Sequence, residues 1–313
     1  MKLPFIDELN TGILDPQKVL EASSGEITEP ADFYERSHRP VPGGLCDEQI
    51  FGPIDDYTCA CGKYRGRRYE GRTCEHCGVT ILPSSVRETR MAHIRLTEPV
   101  IPPCYLKEAP SLLSLFLGID PEELKHIAYS KKWIVTDPGE PKASKKLRAG
   151  SIITTRSHLN NLEKPDVKGY AALSGGEAVQ MLIEQMLSTD HPDGKTNLQL
   201  EYERLQSESS TDADKARLEV LEYFISGDHD PRHMLITVFP VVPPSFRPAG
   251  SILESRYLHF AALSLPESRC SRRTRFGIPE RLTADPKKAI RSKGLYQVCA
   301  RRLITEMAFR SEP

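Results

Sequence analysis

Four of the eight cysteines lie between positions 59 and 77. Cys59 and Cys61 are separated by one residue and Cys74 and Cys77 by two, so each pair can turn two sulfurs toward a common point. Thiolates in this spacing hold a soft tetrahedral cation, and the expectation is one structural Zn2+ on Cys59, Cys61, Cys74 and Cys77. Gly62 and Gly78 each follow the second cysteine of a pair, where a tight knuckle needs positive φ and frees N–H groups to face sulfur. The competing chemistry is a pair of disulfides. Nothing in Met1 to Asn10 resembles a secretory signal, so a reducing compartment and thiolate ligation are expected. His93 is not needed as a ligand, because four thiolates complete the tetrahedron.

The stretch between the pairs alternates basic and aromatic residues: Lys63, Tyr64, Arg65, Arg67, Arg68 and Tyr69, with Arg72 just beyond. A loop whose base is fixed by metal and whose side chains stay solvated suits contact with phosphates, and Lys63, Arg65, Arg67, Arg68 and Arg72 are the candidate contacts. The bland alternative is a basic surface loop with no ligand. Charge is uneven along the chain although the net value is only −1. Residues 59–95 carry eight Lys or Arg against three Asp or Glu, and residues 264–313 carry twelve against five. Two basic blocks on an acidic body point to localised contact with phosphates or acidic protein and exclude a uniformly basic nucleic-acid coat.

The positioning elements are legible in part. The 313 residues suffice for one large or two ordinary domains. The longest apolar stretch, Met234 to Val242, is interrupted by Pro240 and too short to cross a bilayer, so no membrane span and a cytoplasmic protein are expected. Up to Pro53 the pattern is irregular apart from a helix over Pro16 to Ala22, capped by Asp15. This arm is rich in turn signals and is expected to order only against a larger body. Val86 to Leu96 reads as extended, Pro110 to Leu117 as helical, and Asp120-Pro121 opens another helix. Trp133 to Thr136 is a short strand and Glu140 to Gly150 a polar loop. A helix from Gly175 is followed by a helical hairpin, one arm running to Glu208 and the other starting at Asp212 with Leu218, Leu221, Phe224 and Ile225 on one face. Met234 to Val242 is a buried strand, and a last helix is expected from Pro286 to Phe309.

Several strings are specific enough to carry a family resemblance. They are Gly44-Leu45 with Ile50-Phe51-Gly52-Pro53; Cys59-x-Cys61-Gly62-Lys63-Tyr64; Cys74-x-x-Cys77-Gly78-Val79; Val86-Arg87, Arg90-Met91 and His93-Ile94; Pro99-Val100; Asp137-Pro138-Gly139; and Val241 to Pro248. In this order the chain resembles the N-terminal region of the beta-prime subunit of bacterial multisubunit RNA polymerase. The resemblance implies an α+β chain in four parts: an N-terminal arm (1–58), a four-cysteine zinc-binding module (59–95), a largely helical clamp-like body with short strands and a hairpin (96–248), and a lid-like, basic helical tail matching a degenerate sigma-docking region (249–313). It implies that the four cysteines bind zinc near upstream DNA and the exiting transcript, and that Arg247 opens the lid and joins the nucleic-acid contacts.

Departures from the family pattern narrow the reading. Ile101-Pro102-Pro103-Cys104-Tyr105 stands where the family has a His and a Trp. Pro266, Gly277 and Pro279 interrupt the region matching the sigma-docking helices, which argues against sigma docking in the usual manner. The chain does not reach the family's aspartate loop, so no catalytic residue is assigned and the catalytic Mg2+ is expected on a partner chain. The close aspartates Asp212 and Asp214, and Asp228 and Asp230, sit at a helix start and a turn, where capping explains them. The first reading is a clamp and zinc-domain portion of a split or truncated beta-prime, partnered by beta-like and C-terminal beta-prime-like chains, DNA and RNA. The second is a non-catalytic paralogue that binds nucleic acid or polymerase as a regulator. A zinc-ribbon enzyme has no nucleophile or acid/base pair behind it.

Overall fold

A computed structural model describes residues 15–34, 36–107, 111–140, 147–163, 167–189, 194–208, 211–227, 229–248, 250–264 and 296–305. The first described element is helix α1 (Pro16–Ala22), where Asp15 accepts from Gln17 N, and it passes into strand β1 (Ser23–Glu26). A short helix α2 (Glu48–Phe51), capped by Asp47, precedes the cysteine segment. Strand β2 (Met91–Val100) then lies at the centre of a three-stranded sheet, parallel to β1 and antiparallel to β6 (Ile236–Val241). In register, Ala92 faces Val241 and Ile94 faces Phe239.

Two layers of helix cover this sheet. Helix α10 (Ile252–Ser264) and helix α11 (296–305) pack on one core with Ile27, Leu45, Ile50, Phe51, Ile94 and Phe239. The Phe260 ring lies 4.8 Å from Phe239 and 5.5 Å from Tyr296, which stacks on it. Tyr296 donates to Glu98 O and Gln297 Nε2 to Pro99 O, pinning α11 to the end of β2. Of the helix expected from Pro286 to Phe309, residues 296–305 are described and helical; the rest, with Pro266, Gly277 and Pro279, lie outside the described residues.

The second core gathers α3 (Cys104–Lys107), α4 (Leu112–Leu117), α5 (Pro121–Ala128), α7 (Gly175–Leu187), α8 (Asn197–Glu208) and α9 (Asp212–Ile225). Its centre is Phe116 against Phe224, edge to face at 5.0 Å, with Leu113, Leu124, Ile127, Ile183 and Leu221 buried around them. The α8–α9 hairpin is tied to α4 by Arg217, whose Nε donates to Leu115 O at 3.0 Å and whose Nη1 meets Glu201 at 2.8 Å. Asp214 forms a reciprocal cap with Thr211 and Asp230 caps the turn before β6, as read from the sequence; Asp228 lies outside the described residues. At Gly176 a β-carbon would fall 1.8 Å from Pro99 O, so only glycine lets α7 rest on β2.

A second small sheet is built on the strand expected at Trp133 to Thr136, while its two outer strands and the helix beside them had no counterpart in the sequence. β3 (Lys132–Asp137) runs between β4 (Ile152–Thr154) and β5 (Ala171–Leu173), with α6 (Thr155–Leu162) packed beside them. Trp133 and His158 stack at 3.9 Å and 9°, and Tyr170 closes the group through a 3.0 Å contact to His158 Nδ1.

Two expectations change. The arm from residue 15 to Pro53 packs within this chain, with Ile27, Leu45, Ile50 and Phe51 buried in the first core, so burial of apolar side chains overrides its turn-rich composition. The segment after Cys77 is not uniformly extended: Ser84–Glu88 is a 3-10 turn, and β2 then runs through position 95, so the last residues assigned to the zinc module belong to the body sheet.

His93, on β2, is buried, with Nδ1 2.7 Å from Ser23 Oγ and Nε2 without a partner among the described residues. Burial pushes its pKa below the usual histidine value, Glu26 opposes that and Arg95 adds to it. The neutral ring is therefore favoured by folding, and the stability it confers is full above about pH 6.5 and lost as pH falls toward the depressed folded value. Thermal melts of His93→Gln are expected to lose less midpoint temperature between neutral and mildly acidic pH than the parent. An equal loss in both would contradict this assignment.

Candidate metal centre and basic surface

The four cysteine sulfurs converge. Their Sγ atoms all lie within 4.8 Å of one another, with Cys59 to Cys61 and Cys61 to Cys74 each at 3.6 Å. Zinc with thiolates at about 2.3 Å requires edges of about 3.8 Å between sulfurs, so the cage has the size of a tetrahedral zinc site. Among the described residues no other group of metal-ligating side chains clusters in this way. Both knuckles form as the glycines require: Gly62 has φ +74° and donates to Cys59 O, and Gly78 has φ +70° and donates to Cys74 O. Tyr64 N reaches Cys59 Sγ at 3.2 Å.

The electrostatics of the sulfurs favour a cation. Burial raises the Cys74 thiol, but the N–H groups of Cys77 and His76 and the thiols of Cys77 and Cys61 outweigh it and bring it down to about 6. At Cys61 the Lys63 N–H favours the thiolate, yet burial and hydrogen bonds with Cys59, Cys74 and Cys77 push the thiol up to about 12. Four sulfurs this close cannot all be charged near neutral pH by themselves. A divalent ion removes the repulsion and lets all four ionise.

A small core of Tyr64, Val79 and Ile81 lies under the cage, and the bridges Thr58 to Arg65 and Thr73 to Thr80 close each knuckle at its base. From this base the cations project. Arg65, Arg67, Arg68 and Arg72 are all exposed. Arg72 sits over the Tyr64 ring at 4.4 Å, Arg68 over Tyr69 at 4.6 Å and Arg67 over Tyr57 at 5.8 Å, while Tyr64 and Tyr69 meet edge to face at 5.0 Å. Lys63 differs from the arginines. Its Nζ pairs with Glu75 at 2.5 Å, and Lys63, with the Glu75 backbone and Tyr64 Oη, holds the Glu75 carboxylate at about 2. Any phosphate at Lys63 has to compete with that carboxylate.

Arg247 is not part of this surface. It is 1 % exposed, 202 residues in sequence from the Leu45 carbonyl that its Nη2 meets at 2.6 Å, and its Nε donates to Val242 O at 2.9 Å. The guanidinium lies 5.4 Å from both the Phe51 and Tyr257 rings. The expectation that it contacts nucleic acid at the mouth of a lid gives way, because its guanidinium is enclosed in the first core and donates there to backbone carbonyls.

Of the residues that seat the module on the body, only Arg87 figures in the sequence analysis, as part of the Val86-Arg87 string and with no contact assigned to it. Gln49 Nε2 donates to Cys77 O at 2.9 Å, and Asp56 Oδ1 accepts from both Ser84 N and Ser84 Oγ at 2.7 Å. Arg87 grips Gly52 O at 2.5 Å and Cys46 O at 3.1 Å. Polar residues outside periodic elements give no warning of such long-range bonds; Arg87 and Gly52 are 35 residues apart.

Residues 3–257 match the family model described as RNA polymerase Rpb1, domain 1. The chain is 35% identical over 251 residues to the DNA-directed RNA polymerase subunit beta' of Lactobacillus delbrueckii subsp. bulgaricus, covering 80% of this chain and 20% of the relative. It is 36% identical over 251 residues to that of Pediococcus acidilactici (80% and 23%) and 35% identical over 242 residues to that of Nitrosomonas europaea (77% and 17%). The chain thus spans about one fifth of the length of these curated relatives. With the cysteine cage and the mixed helix and strand body in place, the chain belongs to the RNA polymerase Rpb1 domain 1 family and matches the N-terminal region of beta'.

Proposed function

We propose that this chain is the clamp and zinc-domain portion of a multisubunit DNA-directed RNA polymerase, and that its four-cysteine cage holds a structural Zn2+ beneath a basic surface that contacts the phosphates of DNA or transcript. The observation that carries the reading is the coincidence of a zinc-sized thiolate cage with four exposed arginines rooted directly on it, in a chain of this family. Zinc supplies charge and a fixed tetrahedral anchor when bound. The chain's own residues do the rest: Tyr57, Tyr64 and Tyr69 hold the guanidiniums in place, and the guanidiniums offer donors to phosphate oxygens. Phosphate contacts fix register and orientation without reading sequence.

Catalysis is assigned elsewhere. Nucleotidyl transfer needs carboxylates that hold Mg2+ beside the reacting phosphoryl group. Those carboxylates are proposed to lie in the part of beta-prime that residues 1–313 do not cover, with a beta-like subunit completing the enzyme in the cytoplasm. Sigma docking is not part of the proposal. Residues 1–313 purified alone are expected to give no template-dependent nucleotide incorporation with Mg2+, and to support it when combined with the remaining part of beta-prime and a beta-like subunit. Synthesis by the isolated chain would refute the reading. A chain that copurifies with an already complete polymerase without being needed for its activity would instead identify a regulator.

Zinc is checked through Cys74→Ser. Structural zinc in small modules contributes about 10–16 kcal/mol of apparent binding free energy. The variant is expected to lose its metal and unfold the module locally while helical circular dichroism from the α8–α9 hairpin persists. Absence of zinc from the freshly purified parent, or an unchanged content in the variant, would contradict the assignment. The phosphate contacts are checked by salt. Arg68→Gln and Arg72→Gln are each expected to weaken binding equally for unrelated sequences and to reduce the slope of log affinity against log salt by about one. Loss that depends strongly on sequence would rule out a phosphate role.

A further inference from the structure

Glu254 stands in the first turn of α10 and is 4 % exposed. Its Oε2 accepts from Gly250 N at 2.5 Å and its own N–H donates to Ser251 Oγ at 3.1 Å, so one carboxyl oxygen serves the start of the helix. The other, Oε1, is buried and receives no N–H among the described residues. The group beside it is a second carboxylate. Asp32, on the arm, lies within hydrogen-bond reach of Glu254, and the Asp32 residue is itself fixed by Phe33 N on its Oδ1 at 2.7 Å and Val41 N on its carbonyl at 2.9 Å. Two ionised carboxylates can only accept, so a hydrogen bond between them needs one proton.

The surrounding groups decide where that proton sits. Burial pushes the Glu254 carboxyl above the usual carboxylate range, the Gly250 N–H opposes this, Asp32 adds to it and Arg247 opposes it. Also on the arm, the Cys46 thiol is pushed up by burial, with Arg247 and Arg87 drawing it down and Asp32 and Glu254 adding to the rise. Tyr257, one turn along α10, is buried and its hydroxyl is pushed up to about 12. Arg247 is a single positive charge set against two carboxyl groups. We infer that Glu254 keeps its proton in the folded chain and donates it to Asp32, so that the arm is latched to the first turn of α10 until Glu254 ionises. A carboxyl raised by folding stabilises the chain fully below its unfolded value, and that contribution is lost as pH rises through the folded value. The segment from β6 to this turn carries Phe246 and Ile252, which at 62 % and 59 % are the most exposed large apolar side chains among the described residues. The latch therefore makes the hold on that apolar surface depend on pH.

The test is thermal unfolding of the full zinc-loaded chain from about pH 5 to about pH 8, comparing the parent with Glu254→Gln. The amide keeps an acceptor for Gly250 N and offers Asp32 a donor that does not titrate. His93 is present in both chains, so its own pH dependence cancels in the comparison. The two are expected to melt close together at the acidic end and to separate as pH rises. The parent then loses about tenfold in its folded-to-unfolded ratio, relative to the variant, for each unit by which folding raises the Glu254 carboxyl. With Asp32→Asn added to both chains the separation is expected to shrink, because the like charge is gone. A Glu254→Gln chain that fails to fold or melts below the parent at about pH 8 would overturn the inference, as would a separation that does not change with pH or is untouched by Asp32→Asn. A rise in the parent's melting point on adding Ca2+ or Mg2+ that Glu254→Gln abolishes would also overturn it, since the pair would then hold a cation and not a proton.

Discussion

A guanidinium buried in the first core joins parts of the chain that are far apart in sequence. Arg247 bonds to the carbonyls of Leu45 and Val242 between the rings of Phe51 and Tyr257. No carboxylate lies within salt-bridge reach of it among the described residues. Burial pushes its pKa below the usual arginine value, against which the Cys46 thiol, Tyr257 and Glu254 favour the charge while Arg87 opposes it. Removing such a group leaves buried carbonyls unpaired, at about 1–3 kcal/mol each. The neighbouring carbonyl, Cys46 O, is held by Arg87, which comes from the exit of the zinc module. Two arginines, one from the exit of the zinc module and one from the turn after β6, therefore grip consecutive peptides of the arm, and with its buried apolar side chains this explains why an arm poor in periodic apolar residues nevertheless packs.

This grip connects the fold to the site. The arm leads straight into Cys59, so whatever fixes Leu45 to Gly52 also fixes where the cage sits. Arg87 returns from the cage to the same segment, and Gln49 crosses to Cys77 O. The metal centre sets the internal geometry of the module, and these bonds set its orientation on the body. The arginines of the basic surface inherit both.

Much of the site was legible because its chemistry is local. Cysteine spacing, the glycines that follow, and the alternation from Lys63 to Tyr69 all lie within one short stretch, and the caps at Asp15 and Asp120 were read from two residues each. What was missed is long-range or lacks a period. β4, α6 and β5 are short, and their burial is partial, so no alternation marks them. Helix α10 follows a Pro-rich turn and reads as lid or tail until Tyr257 and Phe260 are seen against Phe239. Arg247 is expected among the nucleic-acid contacts only through the family resemblance, and neither resemblance nor composition tells an arginine facing solvent from one facing carbonyls. Lys63 likewise reads as free until Glu75 is placed beside it.

The central physical claim is that Arg247 acts inside the protein as a planar fork between two backbone carbonyls. Arg247→Lys tests it most directly, because it keeps the charge, removes the fork and leaves a strongly hydrated ammonium in an apolar site. Urea unfolding of the zinc-loaded chain is expected to show a loss of about 2–4 kcal/mol with zinc content unchanged. An unchanged midpoint together with weakened nucleic-acid binding would contradict the account, since it would return Arg247 to the surface as a phosphate ligand.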